Sequence, residues 1–412
     1  MEIKTKYQYT YFIYPYVVNE KKYDKYLLKL LHNKNCELKM FEQEKNLDLY
    51  TYFLPKIRNY MFWSFDFNNK KMKQLEQFDD NMQSVLLAKY PCVMFEYKIK
   101  KDIQGKTKND GIFFNIRKIE IICFNTGICF LNIKTTLDED STLEDLCNFN
   151  YKFRNINSSI AKLKEYENIK IQTDAYKNIK GISQLIKEIA GNNAEAKELN
   201  IDIDKFVIYS YACIGQECWE NSTNVELLEK ELYKYSNVYP VDYNSSINTD
   251  LIYELEQGKH TKFAFNSTST VLLTSDANTD NYTKLPHIYE TQYLYNYIYE
   301  LHKKIFLNKL DKEAKNYNKF NNIKEQFIQF VQNVWIEETT NNNMGNEITK
   351  YWKKALEKNP TEPYYIQQLA LCTYKQKVSK EEQEMYLNDA LRILERLADS
   401  NDPETFGLKG AI

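Results

Sequence analysis

The side chains best suited to chemistry form an acidic group at Asp138, Glu139 and Asp140, with Glu144 and Asp145 close behind. Carboxylate oxygens are the ligands that hard cations such as magnesium prefer. The group lacks the DxDxDG spacing of a calcium loop, however, and residues 141–144 (Ser-Thr-Leu-Glu) are typical of a helix capping box. We therefore expect a capped, solvated helix start here and no metal site.

The histidines and cysteines offer no catalytic arrangement. The four histidines form no HxxxH or HExxH motif, and His302, beside Lys303 and Lys304, is expected on a solvated helix face. The eight cysteines contain no CxxC, and several lie inside apolar runs, where a thiol acts as a small buried hydrophobe. No histidine is an obvious partner for a cysteine nucleophile. We expect no catalytic residue and no cofactor.

Glycine is scarce, at 10 of 412 residues. Loops that cradle phosphates need glycine because only glycine lets the backbone approach a ligand closely. The chain contains no GxGxxG, GxxxxGK[ST] or GxSxG motif. Classical nucleotide-binding folds are therefore disfavoured, and we expect a protein that is not an enzyme. An enzyme of unrecognised type is the remaining alternative.

Charge and hydropathy exclude two classes of partner. The net charge is −2, so no global field attracts nucleic acid or an anionic membrane surface. No apolar run approaches the roughly 18 residues needed to span a bilayer. The N-terminus does not have the pattern of a signal peptide, and the scattered cysteines do not suggest a disulfide framework. We expect a cytoplasmic protein that binds neither nucleic acid nor membrane.

Alternating and apolar runs predict strands mixed with short helices over residues 1–280. These patterns indicate an α+β domain with a mixed sheet. Asn125, Thr126 and Gly127 separate two of the runs and predict a hairpin turn. The predicted strands are 7–18, 62–66, 91–99, 112–124, 127–134, 205–214 and 268–274, and the predicted helices are 22–32, 70–88, 141–147, 157–166, 181–190 and 224–235.

Residues 286–340 show helical periodicity with an apolar stripe. The segment is either one long helix or two helices that meet in a turn near 308–319. The stripe must pack on the sheet domain or on a second copy of the chain, and we expect it to form an oligomerisation surface. Its residues are Leu294, Ile298, Leu301, Ile305, Phe320, Ile323, Phe327 and Phe330. Tyr289, Tyr293 and Tyr297, on the same helix, could stack bases but are expected to pack in the core.

Residues 345–412 predict helices at 347–357, 362–376 and 380–399. Small residues near helix contacts, with Pro403 at a turn, are typical of tetratricopeptide repeats. Tyr364, Tyr365 and Leu369 are the candidate partner-binding residues, and packing between repeats is the alternative for them. Because Ile412 falls where another repeat would begin, we expect this array to be incomplete.

Two resemblances accompany these patterns. Residues 119–131, 150–154, 297–304 and 335–340 resemble soluble CorA-like bacterial proteins, a similarity that covers about 110–358. It implies a soluble fold and a tendency to self-associate, but not ion conduction, because the Gly-Met-Asn channel motif is scrambled at Asn343–Asn346. Residues 401–411 resemble the tetratricopeptide-type region of TIR-associated proteins and of apoptosis signal-regulating kinases.

Together these observations predict a sensor or adaptor that self-assembles and binds a protein partner through its C-terminal repeats. The second resemblance implies antiphage or stress signalling. The alternative is a magnesium- or nucleotide-responsive regulator whose ligand controls oligomerisation.

Overall fold

A mixed eleven-stranded sheet forms the centre of the fold. The computed structural model describes residues 3–19, 22–66, 75–99, 103–107, 111–156, 169–171, 181–191, 205–220, 222–239, 253–256, 260–314, 326–330, 334 and 338–357. The strands are β1 (Thr5–Val17), β2 (Cys36–Leu38), β3 (Cys92–Tyr97), β4 (Ile103–Thr107), β5 (Phe113–Phe124), β6 (Ile128–Leu137), β7 (Ile169–Ile171), β8 (Val207–Ile214), β9 (Tyr253–Glu256), β10 (Thr261–Asn266) and β11 (Ser269–Ser275).

The strand order is β2-β3-β5-β6-β1-β8-β11-β10-β9, and β4 joins β5 to β7. Strands β8 and β11 pair in parallel, whereas the other pairs are antiparallel. The sheet is therefore mixed, as the sequence predicts.

Helices lie on both faces of this sheet. They are α1 (Tyr23–Leu31), α2 (Leu47–Tyr52), α3 (Pro55–Met61), α4 (Asp80–Ala88), α5 (Leu143–Arg154), α6 (Ile182–Ala190), α7 (Ser222–Asn237), α8 (Leu285–Ile288), α9 (Leu294–Ala314) and α10 (Asn343–Glu357). A π-helical turn, Tyr289–Tyr293, joins α8 to α9. The fold class is α+β, which confirms the prediction. None of the helices within the described ranges has both the length and the apolar composition required to cross a bilayer.

Strand β1 shows why both faces are covered. Tyr9, Tyr11 and Ile13 lie in one core, with α2, α3, α9 and α10, while Phe12 and Tyr16 lie in the other, with α1 and α4 to α7. Successive side chains of a strand point to opposite faces. Because β1 is apolar or aromatic at both sets of positions, both of its faces must be buried.

The predicted hairpin is confirmed. Strands β5 and β6 pair antiparallel with Cys123 opposite Cys129. The turn closes through a hydrogen bond from the Gly127 amide to the Phe124 carbonyl. Gly127 has a φ of 79°, a left-handed conformation that glycine adopts without strain.

The C-terminal part of the predicted long helix folds back on α9. The rings of Phe306 and Phe330 stack with centroids 4.3 Å apart. In one continuous helix, 24 positions at about 1.5 Å each would separate them by roughly 36 Å. The Tyr299 hydroxyl also donates to the carbonyl of Val334. Helix α9 and residues 326–330 therefore do not belong to one continuous helix, and we call α9 together with residues 326–330 and Val334 the helical hairpin.

Helix α10, which spans the expected boundary at residue 345, packs on the sheet and on α9. Trp352 is buried with its ring 5.4 Å from that of Tyr297 on α9, and Tyr351 stacks 5.6 Å from Phe265 on β10. The described parts of the three predicted units, 1–280, 286–340 and 345–412, contribute side chains to one hydrophobic core.

One predicted strand is wrong. Residues Trp63–Asp66 form a 3₁₀ turn rather than a strand. The Ser64 hydroxyl accepts from the Phe41 amide at 2.7 Å and donates to the Phe41 carbonyl at 3.1 Å, which holds the turn against a loop. Its aromatic residues are therefore packed without strand pairing. The helices predicted at 157–166, 362–376 and 380–399 lie outside the described residues.

Candidate functional site

Helix α9 lies inside the protein although its sequence is polar. Every residue from Tyr293 to Leu310 is buried except Lys304, which is half-buried and whose ammonium pKa is lowered by burial to about 8. Six of the buried residues are polar or charged: Asn296, Glu300, His302, Lys303, Asn308 and Lys309. Burying such groups without partners costs free energy, so buried polar side chains are normally hydrogen-bonded or ion-paired.

Three of these polar groups have partners that account for their burial. The Asn296 amide donates to the Thr349 hydroxyl of α10 at 2.7 Å. Lys303 donates to the carboxylate of Glu300 at 2.7 Å, within the helix. Such contacts offset the loss of hydration and attach α9 to its neighbour.

His302 corrects the expectation of a solvated side chain, because it is fully buried. Its ring stacks on Phe124 at the end of β5, with centroids 3.8 Å apart and planes at 11°. Its Nε2 lies 2.9 Å from Oγ1 of Thr126 in the hairpin turn. Burial, with smaller contributions from the charges of Lys303 and Lys309, lowers the pKa of the imidazole to about 3. The ring is therefore neutral at physiological pH.

A cavity of about 500 Å³ lies next to this histidine. Helix α3, the β5–β6 turn, α9 and the returning part of the hairpin each contribute to its wall. The lining residues are Lys56, Asn59, Tyr60, Pro91, Asn125, Thr126, Phe306, Gln326, Gln329, Phe330 and Val334. Its volume falls within the range of small-molecule sites, about 300–1,000 Å³.

Tyr60 contributes to the lining from helix α3. It is 6% exposed, and its hydroxyl has no hydrogen-bond partner among the described residues. Burial raises the pKa of this hydroxyl well above its usual value, and Cys92 adds to the shift, so the proton stays on the oxygen. A buried hydroxyl without a partner costs free energy in the empty protein.

The described part of the apolar stripe predicted to drive oligomerisation is buried within a single chain. Six of its residues, Leu294, Ile298, Leu301, Ile305, Phe327 and Phe330, are at most 3% exposed and belong to the core beneath the sheet. These side chains cannot contact a second copy while this packing persists. Phe320 and Ile323, and the predicted partner-binding residues Tyr364, Tyr365 and Leu369, lie outside the described residues.

The tyrosine stripe confirms the core interpretation. Tyr289, Tyr293 and Tyr297 are at most 5% exposed. Tyr209 on β8 stacks on Tyr289 and donates its hydroxyl to the Tyr289 carbonyl at 2.7 Å. Tyr9 on β1 likewise donates to the Pro286 carbonyl at 2.7 Å. The sheet thus supplies donors to carbonyls at the start of the π-helical turn, and these tyrosines are structural.

A buried carboxylate was missed by the sequence reasoning. Glu120 on β5 is 1% exposed and lies 2.5 Å from Nζ of Lys39 and 3.0 Å from Nζ of Lys118, and Tyr295 of α9 donates to it at 3.1 Å. Burial alone would raise the pKa of Glu120, but the two ammonium groups lower it more, so the group stays ionised. The sequence feature that could have revealed this buried carboxylate is the single glutamate within the apolar run Ile119–Phe124.

The acidic group forms a capped helix start, one residue later than the predicted box. Thr142 is the N-cap of α5, and its hydroxyl accepts from the Asp145 amide while the Asp145 carboxylate accepts from the Thr142 amide. Asp138, Glu139 and Asp140 are exposed. In the part of the chain that the structure describes, no group of three or more His, Cys, Asp or Glu side chains is arranged to hold a metal ion.

No protein-family model and no curated protein matches this chain. The CorA-like and tetratricopeptide resemblances therefore stay predictions, and the function has to be inferred from the cavity beside His302.

Proposed function

We propose that this protein is a non-enzymatic, ligand-responsive regulator whose small-molecule site is the cavity between α3, the β5–β6 turn and the helical hairpin. The observation that carries the proposal is that α3, the β5–β6 turn, α9 and the returning segment, together with Pro91 before β3, line one cavity. A ligand that fills it would contact the sheet side and the hairpin side at once. The binding free energy of the ligand would therefore favour the arrangement in which the helical hairpin is closed on the sheet.

The wall of the cavity supports binding rather than catalysis. Among the described residues its side chains are amides, hydroxyls, aromatic rings, one lysine and the apolar Pro91 and Val334, with neither a carboxylate nor a thiol. A general acid–base pair would need titratable groups at the cavity surface. The neutral ring of His302 lies behind Thr126, at hydrogen-bond distance from its hydroxyl. We therefore propose a sensor, and of the two ligands considered from the sequence, nucleotides fit this wall better than magnesium does.

The proposal also includes self-assembly and the binding of a protein partner. The apolar stripe on α9 is buried, so an assembly would have to use other surfaces. A ligand that changes the position of the helical hairpin would change those surfaces directly. We propose that the protein partner binds the C-terminal repeats predicted within 345–412, in the part that follows α10.

Thermal unfolding of the full chain with a panel of nucleotides, aromatic acids and magnesium tests this proposal. A compound that binds the folded state at about 100 times its Kd adds about 2.7 kcal/mol to the free energy of unfolding. We expect at least one panel compound to raise the Tm of the wild type and of Ile328→Trp, whose side chain is 40% exposed and does not line the cavity. The same compound should not stabilise Gln329→Trp, which places an indole at the lining.

Two results would contradict the proposal. One is that no panel compound raises the Tm of the wild type. The other is an equal rise in the Gln329→Trp variant, which would place the binding site elsewhere.

A further inference from the structure

Helix α4 and the residue before its N-cap present apolar side chains to solvent. Phe78, Met82 and Val85 are 37%, 48% and 48% exposed. The other exposed large apolar side chains among the described residues lie at separate places in the chain: Tyr7, Leu47, Phe113 and Ile328. Apolar residues that are exposed singly are normal, whereas several that lie together mark an interaction surface. The segment 78–89 is therefore a candidate surface for binding another protein.

The inner face of α4 includes a polar anchor, which fixes the orientation of the helix. Gln83 is 7% exposed, and its amide nitrogen donates to the carbonyls of Leu75 at 2.8 Å and Phe78 at 3.0 Å. Its amide oxygen lies 3.2 Å from Nε2 of His32, the C-cap residue of α1. Turning the exposed apolar residues of α4 inward would break these contacts. A solvated helix normally has its apolar stripe toward the core and its polar residues outside.

The exposed residues of this segment follow the spacing of a helix contact seam. Phe78, Met82, Val85 and Lys89 are separated by four, three and four positions. Residues three and four apart lie on the same face of a helix, and alternation of the two spacings is typical of paired helices. Lys89 is the exposed C-cap residue of α4. The seam thus has an apolar centre and a basic end.

We propose that α4 is the surface through which two copies of this chain associate, with the two α4 helices antiparallel across a two-fold axis. The inference rests on the self-assembly included in the proposed function, and it replaces the buried stripe of α9 as the contact surface. A two-fold interface uses the same patch on both subunits, so the patch has to be complementary to itself.

The charges at the two ends of α4 meet this requirement. Asp79 and Asp80 are exposed at the N-terminal end, and Lys89 is exposed at the other end. When two copies pair antiparallel, the acidic end of each helix lies beside the basic end of the other. The midpoint between Asp79 and Lys89 falls within one residue of the midpoint between Met82 and Val85. One two-fold axis therefore aligns the opposite charges and the apolar contacts together, whereas a parallel pair would place like charges side by side.

The size of the surface sets the expected strength of association. Helix α4 has nine residues. An interface centred on one helix of this length is expected to lie below the roughly 1,200–2,000 Å² of a stable complex. We therefore expect a reversible dimer with a Kd in the micromolar range.

Sedimentation velocity of the full chain at concentrations from about 1 μM to about 300 μM tests the inference. We expect the wild type to form a dimer over this range. Val85→Glu should weaken association roughly tenfold or more, because it places a carboxylate in the apolar centre of the interface. Leu47→Glu, at a side chain of α2 that is 56% exposed, is the matched control and should leave the Kd within about twofold of the wild type.

An exchange of charges gives a readout that a general loss of stability does not. Lys89→Glu should weaken association roughly fivefold or more, because the two-fold axis repeats each lost contact. The double variant Asp80→Lys/Lys89→Glu should recover most of the wild-type affinity, because opposite charges again face each other. Asp80 suits this exchange because its side chain is 70% exposed, while Asp79 keeps its N-cap hydrogen bond to the Met82 amide.

Three results would overturn the inference. A dimer with the same Kd in the wild type, Val85→Glu and Lys89→Glu would show that association uses another surface, and self-assembly would still stand. A wild type that stays monomeric throughout would remove self-assembly as well, while the ligand site keeps its own test by thermal unfolding. A monomer whose Tm is lowered by Val85→Glu but not by Leu47→Glu would show that α4 is covered within its own chain.

Discussion

The imidazole of His302 lies face to face on the ring of Phe124, with centroids 3.8 Å apart and planes 11° apart. The same imidazole reaches Oγ1 of Thr126, two residues further along the chain. One side chain of α9 therefore contacts both the last residue of β5 and the turn that follows it. This contact explains why a polar residue lies at the centre of the fold, and it links the helical hairpin to the edge of the proposed ligand site.

The first prediction concerns acid stability. Unfolded histidine titrates near its ordinary value of 6.5, whereas the folded pKa of His302 is about 3. Between these values the unfolded chain binds a proton that the folded chain does not, so stability falls as pH falls. His302→Gln removes this contribution while keeping a donor near Thr126. The stability difference between wild type and variant should shrink on acidification, by at most about 1.4 kcal/mol per pH unit, as measured by urea unfolding.

A matched control for that experiment is His287→Gln, at a side chain that is 65% exposed. At pH 7 this exposed substitution should change the free energy of unfolding by less than about 0.5 kcal/mol. A constant difference between wild type and His302→Gln from pH 6.5 down to 3 would show that His302 does not titrate as described.

The second prediction concerns the buried ion pairs of Glu120. Glu120→Gln leaves the ammonium groups of Lys39 and Lys118, which are 20% and 31% exposed, without their carboxylate. Removing one member of a buried pair is strongly destabilising, and with this partial exposure we expect a loss of about 2–3 kcal/mol in the free energy of unfolding. Glu37→Gln, in a pair with Lys98 whose side chains are 63% and 55% exposed, should cost less than about 1 kcal/mol. Equal losses for the two variants would contradict this description.

The third prediction compares two tyrosine hydroxyls. Tyr209→Phe removes a hydrogen bond to the Tyr289 carbonyl at the π-helical turn, and we expect it to cost about 1 kcal/mol. Tyr60→Phe removes a buried hydroxyl without a partner, so the ligand-free protein should be unchanged or slightly more stable. Urea unfolding of both variants measures the two effects. A larger loss for Tyr60→Phe than for Tyr209→Phe would mean that the Tyr60 hydroxyl has an internal partner.

The fourth prediction concerns closure of the hairpin. Phe330→Ala removes the ring that stacks on Phe306, and the free energy of opening the α9 amides should fall by about 3 kcal/mol. Native-state hydrogen exchange measures this quantity residue by residue. Ile328→Ala, two residues away at a 40% exposed position, should change it by less than about 0.5 kcal/mol. If α9 exchanges at the same rate in both variants, the returning segment does not protect it.

The strands near the centre of the sheet were predictable from local pattern alone. Strand β5 and the run beginning at Ile128 are dense in apolar residues, and Gly127 can adopt the left-handed turn between them. Such apolar runs are most simply assigned to central strands, because a strand that is covered on both faces needs apolar side chains on both. Short elements such as α2 and α3 were missed, because their positions depend on contacts distant in sequence. One such contact is the hydrogen bond from Leu54 to the Thr339 carbonyl.

The candidate site was harder to predict than the fold. The environment of His302 depends on residues about 180 positions away in β5 and the following turn, and no periodicity encodes that distance. Lys303 and Lys304 next to it are normally signs of a solvated face. The apolar stripe on α9 was found from its spacing, but spacing alone does not distinguish packing within a chain from packing between chains.

The measurement that tests the account most directly is hydrogen exchange of the full chain with and without the panel compound that stabilises it most. The account predicts slower exchange in the second half of α9, in residues 326–330 and in the 125–127 turn, with little change in β9 and β10. Protection confined to other parts of the chain, or none in the hairpin, would contradict the claim that a ligand in the cavity closes the hairpin on the sheet.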